Sequence, residues 1–355
     1  MKFKIHSGEI KRMMKTAIRC VENGRDGRNS NIHIVHRNNL LTVRATNGIF
    51  SAEVSTPMMG GDGEGFYVDG AMFKKIVDIC GGEIEVSADD KACVVKGAGR
   101  TRLPIVSSEI PEFAQVTGKT ITVRGEIFRR VWENVKYAVA VDQSRIVLTG
   151  VLIESDGQEI RVVALDGFRM AVERFECAGE EIKTVVPGGF MELIAGGVSD
   201  DEDIRITFGD GRIQAETDCM VLRSSLLTGD YPDWRRILPT QFKTETIAQT
   251  AELREALKNG SVVMAKNNMI RMTIRENEIS MESNSDEADY SATVPCETVG
   301  EGLTISFNQK YLAEAMNRIQ EHECVISFNN SVAPCVIRGH GSDVVNLILP
   351  VRTQG

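Results

Sequence analysis

Arg161-Val162-Val163-Ala164-Leu165-Asp166-Gly167-Phe168-Arg169-Met170-Ala171-Val172 sets two β-type apolar runs on either side of an Asp-Gly pair. Asp-Gly between such runs signals a hairpin, because glycine accepts the positive φ that a tight turn needs. The composition around this turn is unusual. Leu165, Phe168 and Met170 crowd it with apolar side chains, with Arg169 among them, where turns are ordinarily polar. Two readings account for that: a turn tucked under a neighbouring loop, or the rim of a site for another protein.

Outward from the hairpin, the same order of elements recurs three times. In the first third, Ile10, Met13, Met14, Ala17, Ile18 and Val21 follow the spacing of one buried helix face between Gly8 and Glu22. Strand-like runs follow at Asn31 to Val35, Leu40 to Ala45 and Ile49 to Ser55, with Asn47-Gly48 between the last two. A second amphipathic stretch, Ala71 to Cys80, leads to strands Glu83 to Ser87, Ala92 to Lys96 and Arg100 to Ile105. The second third has a helix over Gly125 to Val139, strands Gly150 to Glu154 and Ile160 to Ala164, and the opening hairpin. A short apolar helix around Phe190 to Ala195 and strands Ile204 to Phe208 and Arg212 to Glu216 complete it. The last third has helix Ala251 to Asn259, strands Met269 to Arg275 and Glu278 to Glu282, helix Gln309 to Ile319, then strands Val325 to Phe328 and Cys335 to Arg338. In each third an Asn or Asp turn stands before the second helix: Asn47 before Asp69, Asp166 before Pro187, Asn284 before Asn308.

A repeat of this length exceeds the periods of solenoids and propellers, so each copy can hold its own core. The reading is three tandem α+β domains, residues 1–117, 118–240 and 241–355, each with two helices on strands making sheets. The joins fall near Gln115 to Lys119 and near Pro239 to Thr244. A chain of 355 residues suits two or three domains, and 42% apolar with 26% charged residues is the composition of a soluble globular protein. No apolar run approaches membrane-span length, and Met-Lys-Phe-Lys-Ile-His lacks the apolar core of a signal peptide, so the expected location is the cytoplasm, with no membrane partner. The eight cysteines form no CxxC pair, which argues against zinc and a disulfide framework and for reduced, mostly buried thiols.

Charge is unevenly spread. The whole chain carries −9, yet the six helical stretches together hold more Lys and Arg than Asp and Glu. If the helices shared a face, it would be electropositive on an acidic particle and suited to sequence-independent phosphate contact, although Lys and Arg also solvate helices simply as good helix formers. Signals for catalysis are poor. His33 and His36, three apart in a strand, face opposite sides, and the run Asp200 to Asp203 lacks the Gly and terminal Glu of a calcium loop. There is no P-loop, G-x-S-x-G or GxGxxG, so no enzymatic activity, metal or cofactor is expected.

Several long motifs, in order along the chain, carry a resemblance. They are Ala164 to Val172, Leu227-Thr-Gly-Asp-Tyr-Pro-Asp-Trp-Arg-Arg-Ile-Leu-Pro239, Phe307-Asn-Gln-Lys-Tyr-Leu312 and the terminal Leu349-Pro-Val-Arg352. With the threefold repeat, they resemble the bacterial DNA polymerase III β subunit family, the sliding clamps. That resemblance implies three tandem copies of a DNA-clamp domain and a head-to-tail homodimer. The dimer would close a ring, with sheets outside and helices lining a hole that duplex DNA threads. It implies a non-catalytic processivity factor whose partners are double-stranded DNA, the replicative polymerase, the clamp loader and other replication and repair proteins.

Carried over residue by residue, the resemblance implies a partner-peptide pocket. Leu165, Gly167, Phe168, Arg169 and Met170 come from the hairpin, with Leu148 on the preceding strand. Pro232, Arg236 and Ile237 come from the interdomain segment, and Asn308, Tyr311, Val332, Pro334, Leu347, Leu349, Pro350, Val351 and Arg352 from the last third. Apolar walls with few polar groups suit a short extended peptide. The family's aromatic residue on the loop before the third domain's first strand is Asn267 here, which makes that wall more polar. DNA contacts would be Arg145, then Arg100 and Arg102, with Arg25 or Arg28 for the family's arginine after the first helix. Asn23 to Asn31 departs from the family pattern there, and Gly188-Gly189 stands where basic residues are common. At the dimer joint, Lys75 and Ile110 would meet Val262 and Val263, the competing reading being burial within one chain. The rival function is a repeat-built protein-interaction scaffold that does not encircle DNA.

Overall fold

A computed structural model describes residues 1–21, 30–59, 63–97, 99–107, 109–263 and 268–352. These group into two compact units, one of Met1–Arg129 with Gly189–Leu226, the other of Arg130–Gly188 with Leu227–Gly355. The fold class is α+β, and the described strands pair antiparallel throughout.

In the first unit, helix Ser7–Ala17 buries Ile10, Met13, Met14 and Ala17, one stripe at helical spacing. His6 accepts a hydrogen bond from the Gly8 N–H at its start. Asp69 caps helix Gly70–Asp78 in the same way, accepting from the Met72 N–H at 2.7 Å. The described strands form two sheets: Lys2–His6, Glu83–Ala88, Ala92–Lys96 and Arg100–Pro104; and Gly63–Asp69, Asn31–Arg37, Leu40–Thr46, Phe50–Pro57, Met220–Ser225, Arg212–Thr217, Asp203–Gly209 and Lys119–Arg124. His36 is buried and bonds the Met58 carbonyl, while His33 stacks on Tyr67 with centroids 4.3 Å apart. The pair is structural.

The second unit holds one sheet of twelve described strands. It runs Glu181–Pro187, Gly150–Asp156, Glu159–Leu165, Arg169–Glu176, Val345–Ile348, Cys335–Gly339, Glu323–Phe328, Thr244–Gln249, Asp289–Gly300, Glu278–Asn284, Met269–Ile274, Leu303–Asn308. The second hairpin strand, Arg169–Glu176, thus pairs with the last strand of the third copy, with Arg169 opposite Ile348 and Met170 opposite Leu347. A corresponding join in the first unit pairs Phe50–Pro57 with Met220–Ser225.

The three turns share one hydrogen-bonding pattern, and the first two place a glycine at positive φ where the third does not. Asp166 N–H donates to the Arg169 carbonyl, and Asp166 Oδ1 accepts from the Phe168 and Arg169 N–H groups at 2.8 and 3.0 Å. Asn47 repeats every contact with Ile49 and Phe50. The centre of each loop is therefore Gly-X rather than Asx-Gly, with Gly48 at φ 84° and Gly167 at φ 93°. In the third copy the same contacts are made by Ser285 to Glu287 and Ala288, not by Asn284, which is the last residue of its strand. Helices end earlier than their periodicity suggests: Gly125–Val135 tightens into a 3-10 turn over Lys136–Ala138, and Gln309–Met316 stops short of Ile319. All eight cysteines are free thiols, and no described helix is long and apolar enough to cross a membrane.

Candidate functional site

The hairpin turn holds an exposed Phe168, 59% accessible, over a small apolar cavity of about 60 Å³. Leu165, Gly167, Phe168, Arg169, Met170, Ile237, Leu347 and Leu349 line it. Leu165, Met170 and Leu347 are almost fully buried and form its floor, continuous with the core that contains Leu148, Leu152, Val163, Val185, Trp234 and Val336. Ile237 and Leu349 supply accessible walls. Leu349 is fixed by its N–H, which donates to the Phe168 carbonyl at 2.9 Å, so the tail and the turn hold one another.

Arg169 does not reach out of this site. Its side chain is 9% exposed, bonded to Asp166 at 2.9 Å and to Glu314, and lies over the rings of Tyr311 and Tyr137 at 4.3 and 5.2 Å. Burial works against its charge, but Glu314 and Asp166 outweigh it and hold the guanidinium above its ordinary pKa. Tyr137 donates to Asn346 Oδ1 at 2.8 Å, and Asn346 Nδ2 to the Ile337 carbonyl. This buried chain fixes Phe168 and Tyr311, whose rings are 6.1 Å apart. Asp166, Glu314, Tyr137 and Asn346 are the parts that sequence reasoning missed. Only the Asx-Gly spacing hinted at Asp166.

The segment leading to Ile237 is anchored by Glu154. Trp234 Nε1 and Arg235 donate to one carboxylate oxygen at 3.1 and 2.7 Å, and Lys183 pairs with the other at 3.1 Å. Burial alone would raise the Glu154 carboxyl, yet these donors hold it below its usual value. Pro232 is half-buried, and Arg236 is exposed and paired with Asp233. Asn308 accepts from the Tyr311 N–H as the cap of helix Gln309–Met316. Val332 is 68% exposed and Pro334 half-buried. Val332, Pro350, Val351 and Arg352 border a second, larger groove of about 550 Å³.

Leu148 lies in the 3-10 segment Gln143–Thr149 rather than on a strand, since the chain kinks at Arg145 before Gly150 starts the sheet. Arg145, Arg100 and Arg102 are exposed. Arg25, Arg28 and Asn267 lie outside the described residues. At the expected joint Lys75 is exposed, Val262 is 84% exposed and Val263 half-buried. Ile110, however, is 7% exposed within its own unit, beside Tyr67, so the reading of burial within one chain holds for it.

Several helix cations that could have faced phosphates are already neutralised: Arg12 by Glu9, Arg19 by Glu192, Lys74 by Asp78, Arg129 by Asp200 and Arg130 by Glu173. Among the described residues, Lys15, Lys258 and Lys310 have no ion-pair partner.

Family models for the DNA polymerase III beta subunit match two stretches of the chain: the central domain over residues 122–233 and the C-terminal domain over residues 235–352. A beta sliding clamp of Streptomyces coelicolor is 28% identical over 291 residues, covering 77% of each chain. One of Bacillus subtilis is 27% identical, covering 76% of this chain and 75% of the relative. Among solved structures, the Thermotoga maritima DNA polymerase III beta subunit superposes with TM-score 0.93 at 23% identity, over 99% of this chain and all of that one. A Pseudomonas aeruginosa sliding clamp bound to griselimycin gives 0.94 at 21% identity, again over 99% of this chain and all of that one. At such identities the superpositions speak for the fold.

Proposed function

The chain belongs to the DNA polymerase III β subunit family, and from that premise we propose that it is a DNA sliding clamp: a ring-forming homodimer that encircles duplex DNA and tethers the replicative polymerase. Its domains are 1–117, 118–240 and 241–355, it works in the cytoplasm, and it catalyses nothing. A clamp must hold DNA without gripping any sequence, so enclosure supplies retention and exposed cations supply only weak, salt-screened contact. Arg145, Arg100 and Arg102 are the contacts we assign, together with Arg25 or Arg28, which lie outside the described residues.

The observation that carries this reading is the repeated sheet join. The strand after the Asx turn of the first copy, Phe50–Pro57, pairs with the last strand of the second, Met220–Ser225. The matching strand of the second copy, Arg169–Glu176, pairs with the last strand of the third, Val345–Ile348. By the same rule, the last strand of the first copy, Arg100–Pro104, lacks its counterpart and pairs only with Ala92–Lys96 among the described residues. The start of Asp289–Gly300 in the third copy lacks one too among the described residues, pairing there only with Glu278–Asn284. A second copy supplies both, head to tail, and the contact closes when each chain turns the path by half a circle. Lys75, Val262 and Val263 would flank this joint, with Ile110 supporting it from beneath.

The client site is the hairpin cavity with the adjoining groove: Leu148, Leu165, Gly167, Phe168, Arg169, Met170, Pro232, Arg236, Ile237, Asn308, Tyr311, Val332, Pro334, Leu347, Leu349, Pro350, Val351 and Arg352. Accessible apolar walls on a rigid floor suit a short extended peptide, with Arg169 acting as the support for Phe168 and Tyr311. The test is primer extension on a long primed circle by the replicative polymerase and loader. Adding this protein is expected to turn short products into long ones in single binding events; unchanged product length would refute the proposal.

A further inference from the structure

The connection from helix Gly125–Val135 to the sheet touches the client cavity twice. At its start, in the 3-10 turn Lys136–Ala138, buried Tyr137 has the Arg169 guanidinium over its ring at 5.2 Å and donates to Asn346 Oδ1 at 2.8 Å, next along the strand from the floor residue Leu347. At its end, Leu148 is packed into the same core as Leu165, Met170 and Leu347, all of which line the cavity. The backbone ties these ends together. The Ala140 N–H donates to the Leu148 carbonyl at 3.0 Å, and Ala140 and Val147 pack on that core.

Between its ends the chain turns outward. Val141 to Ile146 is exposed throughout, and Arg145 sits at the kink within the 3-10 segment Gln143–Thr149. The tip is nevertheless a built structure. Asp142 Oδ1 accepts from the Ser144 N–H at 3.0 Å and its Oδ2 from the Ser144 hydroxyl at 2.9 Å, while the Thr149 hydroxyl donates to the Ile146 carbonyl at 2.7 Å. The cation assigned above to duplex DNA is therefore carried on a short, internally bonded body whose two roots belong to the peptide site.

We propose that the segment from Tyr137 to Leu148 couples the two ligands, so that duplex contact at Arg145 raises the affinity of the cavity for its client peptide, with Tyr137 and Leu148 as the positioning residues. The inference rests on the DNA-contact and peptide-site readings above. Its physical basis is shared ordering. A phosphate held by Arg145 immobilises the exposed tip and, through the Asp142 and Thr149 bonds, its roots, so a peptide packing against the cavity then costs less conformational entropy. The effect is reciprocal: one coupling free energy acts on both equilibria, and bound peptide raises duplex affinity by the same factor.

Fluorescence anisotropy on the intact protein tests this. The probes are a short blunt DNA duplex at low salt and a labelled, uncharged octapeptide, selected by display and kept only if Leu349→Ala weakens it. Saturating duplex is expected to tighten the peptide about three- to tenfold, and saturating peptide to tighten the duplex by the same factor. In the Asp142→Ala, Thr149→Ala double variant, where Arg145 can move without its roots, that factor should fall to within about twofold of one. Neither affinity responding to the other ligand in the unmodified protein, a duplex that displaces the peptide, or a factor that survives in the double variant would overturn the coupling and leave the two binding sites standing. Failure to select any octapeptide that Leu349→Ala weakens would instead sink the peptide site, and a duplex that does not bind at low salt would sink the DNA reading.

Discussion

Arg169 illustrates how the binding surface is built: a cation buried between Asp166, Glu314 and two tyrosine rings stiffens a wall that other residues present. The sites for testing the pocket differ accordingly. Met170 is 2% exposed, so Met170→Ala removes core packing at a cost of about 2–5 kcal/mol and lowers stability together with affinity. Leu349 is half-buried at the rim. Leu349→Ala should weaken client-peptide binding roughly tenfold, about 1.4 kcal/mol, with the melting temperature little changed and the dimer intact. Titration of a labelled client peptide alongside thermal melts would show it, and unchanged affinity would remove Leu349 from the site. His33 offers a separate test. Burial, with Arg44 and Arg37 nearby, pulls its pKa down to about 4. The folded state therefore binds a proton less readily than the unfolded chain, whose histidine titrates near ~6.5. Stability from this residue is present above that value and is lost as pH falls from there through about 4. His33→Phe keeps a ring on Tyr67 and should flatten the melting temperature across that window.

At the scale of elements, helix charge has two uses. Arg130 Nε donates to Glu173 at 3.0 Å and Asn134 to its other oxygen, tying helix Gly125–Val135 to strand Arg169–Glu176, while burial pushes the Glu173 carboxyl up. Arg145 sits exposed on a kinked connection. Arg145→Glu should weaken duplex binding at moderate salt and lower the slope of log affinity against log salt by about 1, leaving peptide binding alone. Arg130→Ala should reduce stability without moving that slope. Filter binding over a salt series with thermal melts separates the two, and equal loss of DNA and peptide binding in Arg145→Glu would mean misfolding. The helices were legible in sequence because Ile10, Met13, Met14 and Ala17 repeat at one period. The strand Thr244–Gln249 was not, since its buried positions include Thr244 and Thr246, and polar residues carry no hydrophobic alternation. The turn in the third copy was placed one residue early at Asn284, because Ser285 supplies the same acceptor through a hydroxyl. The pocket's apolar walls could be read along the chain. The buried support, Glu314 to Arg169 and Asn346 to Tyr137, joins residues 145 and 209 positions apart, and no local pattern announces such pairs.

For the whole molecule, the account depends on two copies completing each other's sheets around an opening. The resemblance to the sliding clamps supplied that expectation, and the join of Arg169–Glu176 to Val345–Ile348 within one chain is the pairing that a second copy would repeat. Enclosure differs from adhesion in one respect: it fails when the DNA acquires an end, whatever the salt. The decisive measurement loads the protein with its clamp loader onto nicked circular DNA, washes at a salt concentration that strips electrostatic binders, and then cuts the circle once. Sliding enclosure expects the protein to stay on the closed circle and to leave promptly after the cut. Release from the uncut circle, or retention on the linear product with free ends, would contradict it and favour a scaffold that holds proteins without surrounding DNA.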